Sequence, residues 1–291
     1  QRIFNSIKIL DASEFEPYDI SENDNTLVIV LSQSGETKDI HRCMVKIREL
    51  NIPIIGIVNS VGSLIARETD CGIYLNAGRE VAVASTKSFT CQQIALTLVA
   101  LWFLEKKSKW NVYSKDLLSE LKFMSGTLET TLGNMEQLKP IAEFLSTKNS
   151  CFILGKNICE PIAREAALKL KEIGYIHAEA FPGGSLKHGP FSLIEIDTPV
   201  ILLILEDSYK DFMISTLEEV KSRGAKTIIV TNVVLNCDKS LIDYQINIPK
   251  LKTLGSIPLI IPFQIIAYEM AIVKNHNPDY PRNLAKVVTV D

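Results

Sequence analysis

Residues 26–59 and 199–232 align without a gap, apolar run on apolar run and helical pattern on helical pattern, and both stretches end in asparagine, Asn59 and Asn232. The first copy reads TLVIVL (26–31), then SQSGET, then a helical pattern from Glu36 to Leu50, then a second apolar run over 53–58. Continuous β-branched runs bounded by polar residues are strands covered on both faces. A strand, a loop, a helix and a second such strand form the crossover unit of a parallel sheet. The repeat therefore predicts an α/β chain with two copies of one unit, each a parallel sheet flanked by helices.

Further elements follow from the same patterns. Residues 71–75 read as a short strand and 86–105 as a long helix, apolar nearly all round in its second half and so expected to be buried. Residues 114–145 carry apolar and charged residues at helical spacing, interrupted by Gly133 and Pro140, with no strand candidate. Then come strands at 150–154, 199–204, 227–231 and 244–248, with helices at 160–173, 210–223 and 257–274. The second copy is preceded by a strand and helix of its own, whereas residues 1–25 offer no such pair. We expect a first domain over 1–113 that is incomplete at its N-terminus and a helical connector over 114–148. A second domain over 149–276 and a C-terminal tail over 277–291 complete the expected organisation. The first residue is Gln1 rather than methionine, which fits an excised end of a longer chain.

Composition excludes several functions. Thirty-one basic against 34 acidic residues give a formal net charge of −3, and no stretch gathers Lys or Arg, so a nucleic-acid footprint is not expected. The apolar runs 94–104 and 257–273 are broken before the ~18 residues a membrane span needs, and both are expected to be buried helices. Six cysteines (43, 71, 91, 151, 159, 237) lack CxxC spacing, and four histidines (41, 177, 188, 276) are scattered. Neither a zinc site nor a disulfide framework is expected, no metal or cofactor is implied, and the expected setting is a reducing cytoplasm. His41 and His276 read as structural, and His177 is expected to pack beside the sheet.

The chemistry concentrates in loops. Ser32-Gln33-Ser34-Gly35-Glu36-Thr37 follows a buried strand and opens a helix, where backbone N–H groups and the helix dipole favour an anion. A plain N-cap needs one hydroxyl, not three and a glycine. The repeat supplies a control, because the equivalent loop in the second copy reads LEDSYK (205–210), whose acids repel an anion. The pattern points to one phosphate-monoester site for the pair of units. Val83-Ala84-Ser85-Thr86-Lys87 offers further hydroxyls at a helix start. In the helix over 160–173, Lys169 and Glu172 share a face, with Glu165 one turn earlier. Such a set is either an exposed ion-pair stripe or a carboxylate held ready to carry a proton.

Five motifs then carry a resemblance in order along the chain: SQSGET (32–37), VASTKSFT (83–90), EAALKLKEIGYIHAEA (165–180), LKHGP (186–190) and PRNLAKVVTVD (281–291). Together they resemble the isomerase part of the glucosamine-6-phosphate synthase family, which is built from two sugar isomerase (SIS) domains. The resemblance runs from about residue 12 to the end. It implies that Ser32, Gln33, Ser34 and Thr37 bind a sugar phosphate and that Val83 and Ser85 contact the sugar. It further implies that Glu172 moves a proton between C1 and C2 with help from Lys169, that His188 opens the sugar ring from a neighbouring subunit, and that Lys286 forms a Schiff base. A homodimer or larger homo-oligomer and an upstream glutaminase domain are the implied partners.

Three departures stand against the family pattern. The first cysteine is Cys43, so the family's N-terminal glutaminase nucleophile is not expected on this chain. The opening strand and its phosphate-contacting loop are absent from the first unit. Gly183-Gly184-Ser185 stands where the family usually has a motif ending in glutamate. Two other functions stay open on sequence alone, a deaminase running the reaction backwards and a sugar-phosphate sensor without turnover. Retention of Glu172, Lys169, His188 and Lys286 argues against the sensor, which needs only the phosphate loop.

Overall fold

The TLVIVL run forms β1 (Val28–Ser32), followed by α1 (Lys38–Glu49), β2 (Ile54–Val58), α2 (Leu64–Glu68), β3 (Cys71–Tyr74) and α3 (Lys87–Lys106). These belong to a computed structural model that describes residues 3–20, 25–133 and 135–286. The three strands lie in the order β1-β2-β3, all parallel, with Val28 opposite Ile54 and Ile55 opposite Cys71. Helix α1 is amphipathic: Cys43, Met44 and Ile47 are buried, with Ile40 packed against their cluster, and Lys46 and Arg48 in the last turn suit the negative end of its dipole. Asn51, at φ 56°, takes the left-handed position that ends the helix. The buried set Val30, Cys43, Met44, Ile47, Ile54 and Ile65 makes one face of the sheet a core.

Helix α3 covers the other face through Ala95 and Val99 against Ile57. The expectation that α3 is buried fails, because Leu98 is 48% and Trp102 51% exposed. A sheet of three strands is narrow, and it covers one stripe of an all-round apolar helix.

The remaining elements are α4 (Val112–Leu132), α5 (Met135–Ser146), β4 (Ser150–Gly155), α6 (Cys159–Glu172), β5 (His177–Pro182), β6 (Pro199–Ile204), α7 (Lys210–Lys221), β7 (Lys226–Thr231), β8 (Tyr244–Asn247), α8 (Ser256–Leu259) and α9 (Ile261–Val273). The chain divides into two compact units, the first running to Ser114 with the tail from Asn283, the second spanning Lys115–Arg282. The helices over the segment read as a connector thus group with the second unit from Lys115 onward. Within that unit the carboxylate of Glu120 on α4 accepts the backbone N–H groups of Lys252, Thr253 and Leu254 at 2.5–3.1 Å, fixing the loop ahead of α8.

The second sheet is all parallel in the order β5-β4-β6-β7-β8. Strand β6, PVILLI, is buried at every position, as its unbroken apolar run requires. One face of the sheet presents Phe152, Leu154, Leu202 and Ile229 to Met213, Leu217 and Val220 of α7. Strand β5 was not expected. It alternates exposed His177, buried Ala178 and exposed Glu179 at the sheet edge, so His177 faces solvent instead of packing beside the sheet. Strands β6 and β7 correspond to β1 and β2, as the repeat predicts, and β8 follows β7 in its sheet as β3 follows β2. Among the described residues nothing in the first unit corresponds to β4 and β5.

Both α3 and the stretch Ser256–Val273 are long and apolar enough to cross a membrane by length and composition. In the second, Leu259, Phe263, Ile266 and Met270 are fully buried within the unit.

Candidate active site

In the first unit, the chain leaves β1 into the 32–37 loop, which is rigid for reasons visible in its bonds. Ser32 is buried, and its Oγ accepts the N–H of Gly35 at 2.9 Å and lies 3.0 Å from Thr37 Oγ1. Ser34 Oγ accepts the N–H of Glu36 at 3.2 Å. Gly35 turns the loop at φ 68°, and its carbonyl accepts the N–H of Ile65 at 3.0 Å. Glu36 does not face the loop's interior; its carboxylate accepts the N–H of Leu64 at 2.9 Å, at the start of α2. Thr37 is the N-cap residue of α1 but makes no side-chain cap bond. Its hydroxyl and that of Ser32 are therefore drawn together at a helix N-terminus, with Ser34 in the same loop, an arrangement that suits a phosphate. In the second unit the equivalent loop spends its acids locally: Glu206 pairs with Lys210 at 3.0 Å, and Asp207 accepts the N–H of Tyr209 at 2.8 Å.

The 79–88 segment forms the second element of this unit's site. Glu80 is buried, and its carboxylate accepts the N–H of Thr86 at 2.8 Å and the hydroxyl of Ser88 at 2.5 Å. Burial pushes the Glu80 carboxyl up, but the Ser88 hydroxyl, the Thr86 N–H, the Lys286 charge and the Ser88 N–H outweigh it and leave the carboxyl below its ordinary value. Lys286, from the tail, stands with Nζ 3.4 Å from each of Glu80 Oε2, the Val83 carbonyl and Ser85 Oγ. Three predicted residues, Val83, Ser85 and Lys286, thus come together. Glu80 was not read from sequence, since a single acid in a loop carries no periodicity. The tail residues from 287 to 291 lie outside the described residues.

In the second unit, the exposed-stripe reading of α6 does not hold. Ala163, Ala166 and Ala167 bring the helix close to its neighbours, and Lys169 is 2% exposed. Its Nζ lies 2.6 Å from Glu172 Oε2 and 3.3 Å from Glu165 Oε1. Burial raises the Glu165 carboxyl; the Lys169 charge and hydrogen bond pull against it, and Glu172 adds to the rise. Glu172 Oε2 is buried and has the ammonium beside it without an aligned hydrogen bond. One buried cation between two carboxylates leaves a surplus negative charge, which suits a group that takes up a proton and gives it back.

His188 ends a short 3-10 turn, Gly183–His188, and is exposed. The turn is held by Lys187 to Glu219 at 2.6 Å and is followed by Gly189 at φ 139°. His41 pairs with Glu68 at 3.1 Å, and the His276 ring lies tilted by 49° against Tyr175 with ring centres 4.6 Å apart.

The SIS domain family model matches residues 10–102 and 144–274. A protein of Acanthamoeba polyphaga mimivirus named "probable glutamine–fructose-6-phosphate aminotransferase [isomerizing]" is 43% identical over 98% of this chain and 47% of its own length. The glutamine–fructose-6-phosphate aminotransferase of Streptomyces coelicolor is 40% identical over 96% of this chain and 46% of its own. The chain thus spans about half the length of the curated relatives it matches. The C-terminal domain of glucosamine-fructose-6-phosphate aminotransferase from Francisella tularensis superposes with a TM-score of 0.81 at 33% identity, over 89% of this chain and 75% of that one. A glucosamine-6-phosphate deaminase from Thermotoga maritima shares the fold, with a TM-score of 0.71 at 23% identity. With the family model covering most of the chain and a solved relative matched over three quarters of its length, this chain belongs to the SIS domain family, in its glutamine–fructose-6-phosphate aminotransferase C-terminal-domain branch.

Proposed function

We propose that this chain is the isomerase part of a glucosamine-6-phosphate synthase, turning fructose 6-phosphate and ammonia into glucosamine 6-phosphate and water. The observation that carries the reading is Lys286, whose amine stands 3.4 Å from the Val83 carbonyl and Ser85 Oγ, on the loop assigned to the sugar. A tail lysine is ordinarily solvated, and its placement there fits an amine meant for a carbonyl.

In this reading Ser32, Gln33, Ser34, Thr37 and the start of α1 take the phosphate. His188, supplied by a second copy of the chain in a homodimer or larger assembly, opens the ring. The neutral amine of Lys286 attacks C2, water leaves, and the imine acidifies the C1 hydrogens. Ammonia then displaces the lysine amine at C2. Glu172 takes a proton from C1 and returns one to C2, with Lys169 holding its charge, and no metal enters any step. The ammonia comes from a glutaminase domain elsewhere in the full protein. Six free cysteines fit a reducing compartment such as the cytoplasm. The reverse, deaminating reading has weaker support, since the deaminase likeness is one of fold.

The test follows the C1 hydrogens of fructose 6-phosphate by NMR in D₂O with ammonia present. We expect exchange in the wild type and a loss of about 10²-fold or more in Glu172→Gln, the usual size of a general-base contribution. Binding of the sugar phosphate with no exchange would overturn the assignment in favour of a sensor.

A further inference from the structure

We infer that Glu80 is the positioning residue for Lys286, holding the tail's amine over the 83–85 loop by charge; the chemical meaning of this rests on Lys286 being the imine-forming lysine proposed above.

The Glu80 side chain is 2% exposed, and both of its oxygens are engaged. Oε1 accepts the Thr86 N–H at 2.8 Å and faces the Ser88 N–H at 3.4 Å, while Oε2 accepts the Ser88 hydroxyl at 2.5 Å. A carboxylate fastened at the start of a 20-residue helix, α3, is a fixed anion. The groups of Thr86 and Ser88 that bind it are all on the segment that carries Val83 and Ser85, so its position is tied to theirs. Lys286 meets Glu80, Val83 and Ser85 at 3.4 Å each, and no one of these contacts is short. Its side chain is 21% exposed. Of the cations on the segment itself, Lys87 is directed away, donating to the Arg79 carbonyl at 2.8 Å, and Arg79 is exposed. Glu80 is thus the anion that faces Lys286, and it faces it loosely. Tight ion pairs of this chain, Lys221–Asp243 at 2.5 Å and Lys187–Glu219 at 2.6 Å, are closer. A parked nucleophile needs the opposite, a hold strong enough to collect a tail and weak enough to release the amine to a carbonyl beside it. The lowered Glu80 carboxyl is consistent with this: burial pushes it up, and the bonds from Ser88 and Thr86 together with the Lys286 charge outweigh burial.

Glutamine at this position keeps the fastening and removes the charge: its carbonyl still accepts the Thr86 N–H, and its amide reaches the Ser88 hydroxyl. Ser88→Ala does the reverse, removing the 2.5 Å bond and leaving the charge. Two readouts separate positioning from a purely structural role. The first uses no sugar: brief acetylation with acetic anhydride, read by mass spectrometry at Lys286 against exposed Lys115. Glu80→Gln raises Lys286 labelling at least threefold, and Ser88→Ala leaves it within twofold of wild type. Unchanged labelling in Glu80→Gln, or equal rises in both variants, overturns the inference. The second is borohydride trapping of fructose 6-phosphate on Lys286. Glu80→Gln lowers the trapped fraction at least tenfold while the Kd for fructose 6-phosphate stays within twofold. Trapping at the wild-type level refutes positioning for reaction. A wild type that traps no sugar yet gives the expected labelling refutes the imine reading and leaves the docking of Lys286 by Glu80 standing.

Discussion

Gly35→Ala tests whether the phosphate loop is as rigid as its bonds imply. Gly35 sits at φ 68°, and a left-handed residue with a Cβ costs roughly 1–2 kcal/mol. Relaxing to negative φ is blocked from both sides, since the residue donates to Ser32 Oγ at 2.9 Å and accepts from Ile65 at 3.0 Å. The methyl would also fall 1.9 Å from Ser63 Oγ and 2.5 Å from Ser63 Cβ, far inside contact distance. Ser63 is buried at the N-cap of α2, so making room means shifting packed structure, typically another 1–3 kcal/mol. The two terms together predict a loss of about 2–5 kcal/mol. Ser63→Gly removes both clashing atoms, and the next atom, the Ser60 carbonyl oxygen, is 3.9 Å away. In that background Gly35→Ala should cost only the backbone term, about 1–2 kcal/mol. Urea unfolding followed by tryptophan fluorescence reads this unit alone, because both tryptophans, Trp102 and Trp110, lie in it. The reasoning is refuted by a Gly35→Ala loss below about 0.5 kcal/mol, the spread of ordinary surface substitutions, or by an equal loss in the Ser63→Gly background.

Two more predictions concern the second unit. Burial pushes the Asp243 carboxyl up, but Lys221, the Thr227 N–H, Lys226 and the Thr227 hydroxyl pull it from 3.8 down to about 2. That difference is worth about 2 kcal/mol, present above the unfolded-state value and lost as pH falls through the folded one, so Asp243→Asn should cost about that much at pH 7 and almost nothing near pH 2 in circular-dichroism melts. Lys169→Met strands Glu165 and Glu172 without their buried cation and should cost roughly 3–5 kcal/mol at neutral pH. The deficit should shrink on acidification, as Glu165, already raised by burial, takes a proton; a pH-independent deficit would mean that lost packing, not charge, is responsible.

What could be read without coordinates separates cleanly from what could not, and the division follows sequence distance. The buried runs at 26–31 and 199–204 are strands because their own residues demand two covered faces, and α1 is a helix because its own apolar positions recur at helical spacing. The phosphate loop is of the same kind: Ser32 bonds to Gly35 and Thr37, and Ser34 to Glu36, all within five positions. Strand β5 was missed because an edge strand alternates weakly, and its HAEAFP follows an alanine-rich helix whose pattern masks the break. The burial of α3 was misjudged because it depends on how many strands lie beneath the helix, a property of the sheet. Lys169 illustrates the intermediate case: spacing placed it with Glu165 and Glu172, but only packing against the rest of the unit turns a surface stripe into a buried triad. Glu80 and Lys286 mark the far end, 206 residues apart and joined by nothing periodic. Glu80 has local donors in Thr86 and Ser88, but Lys286 meets its anion only through the fold. The pairing comes from the tail folding onto the 79–88 segment, and this is why the contact between the two charges has to be found in three dimensions.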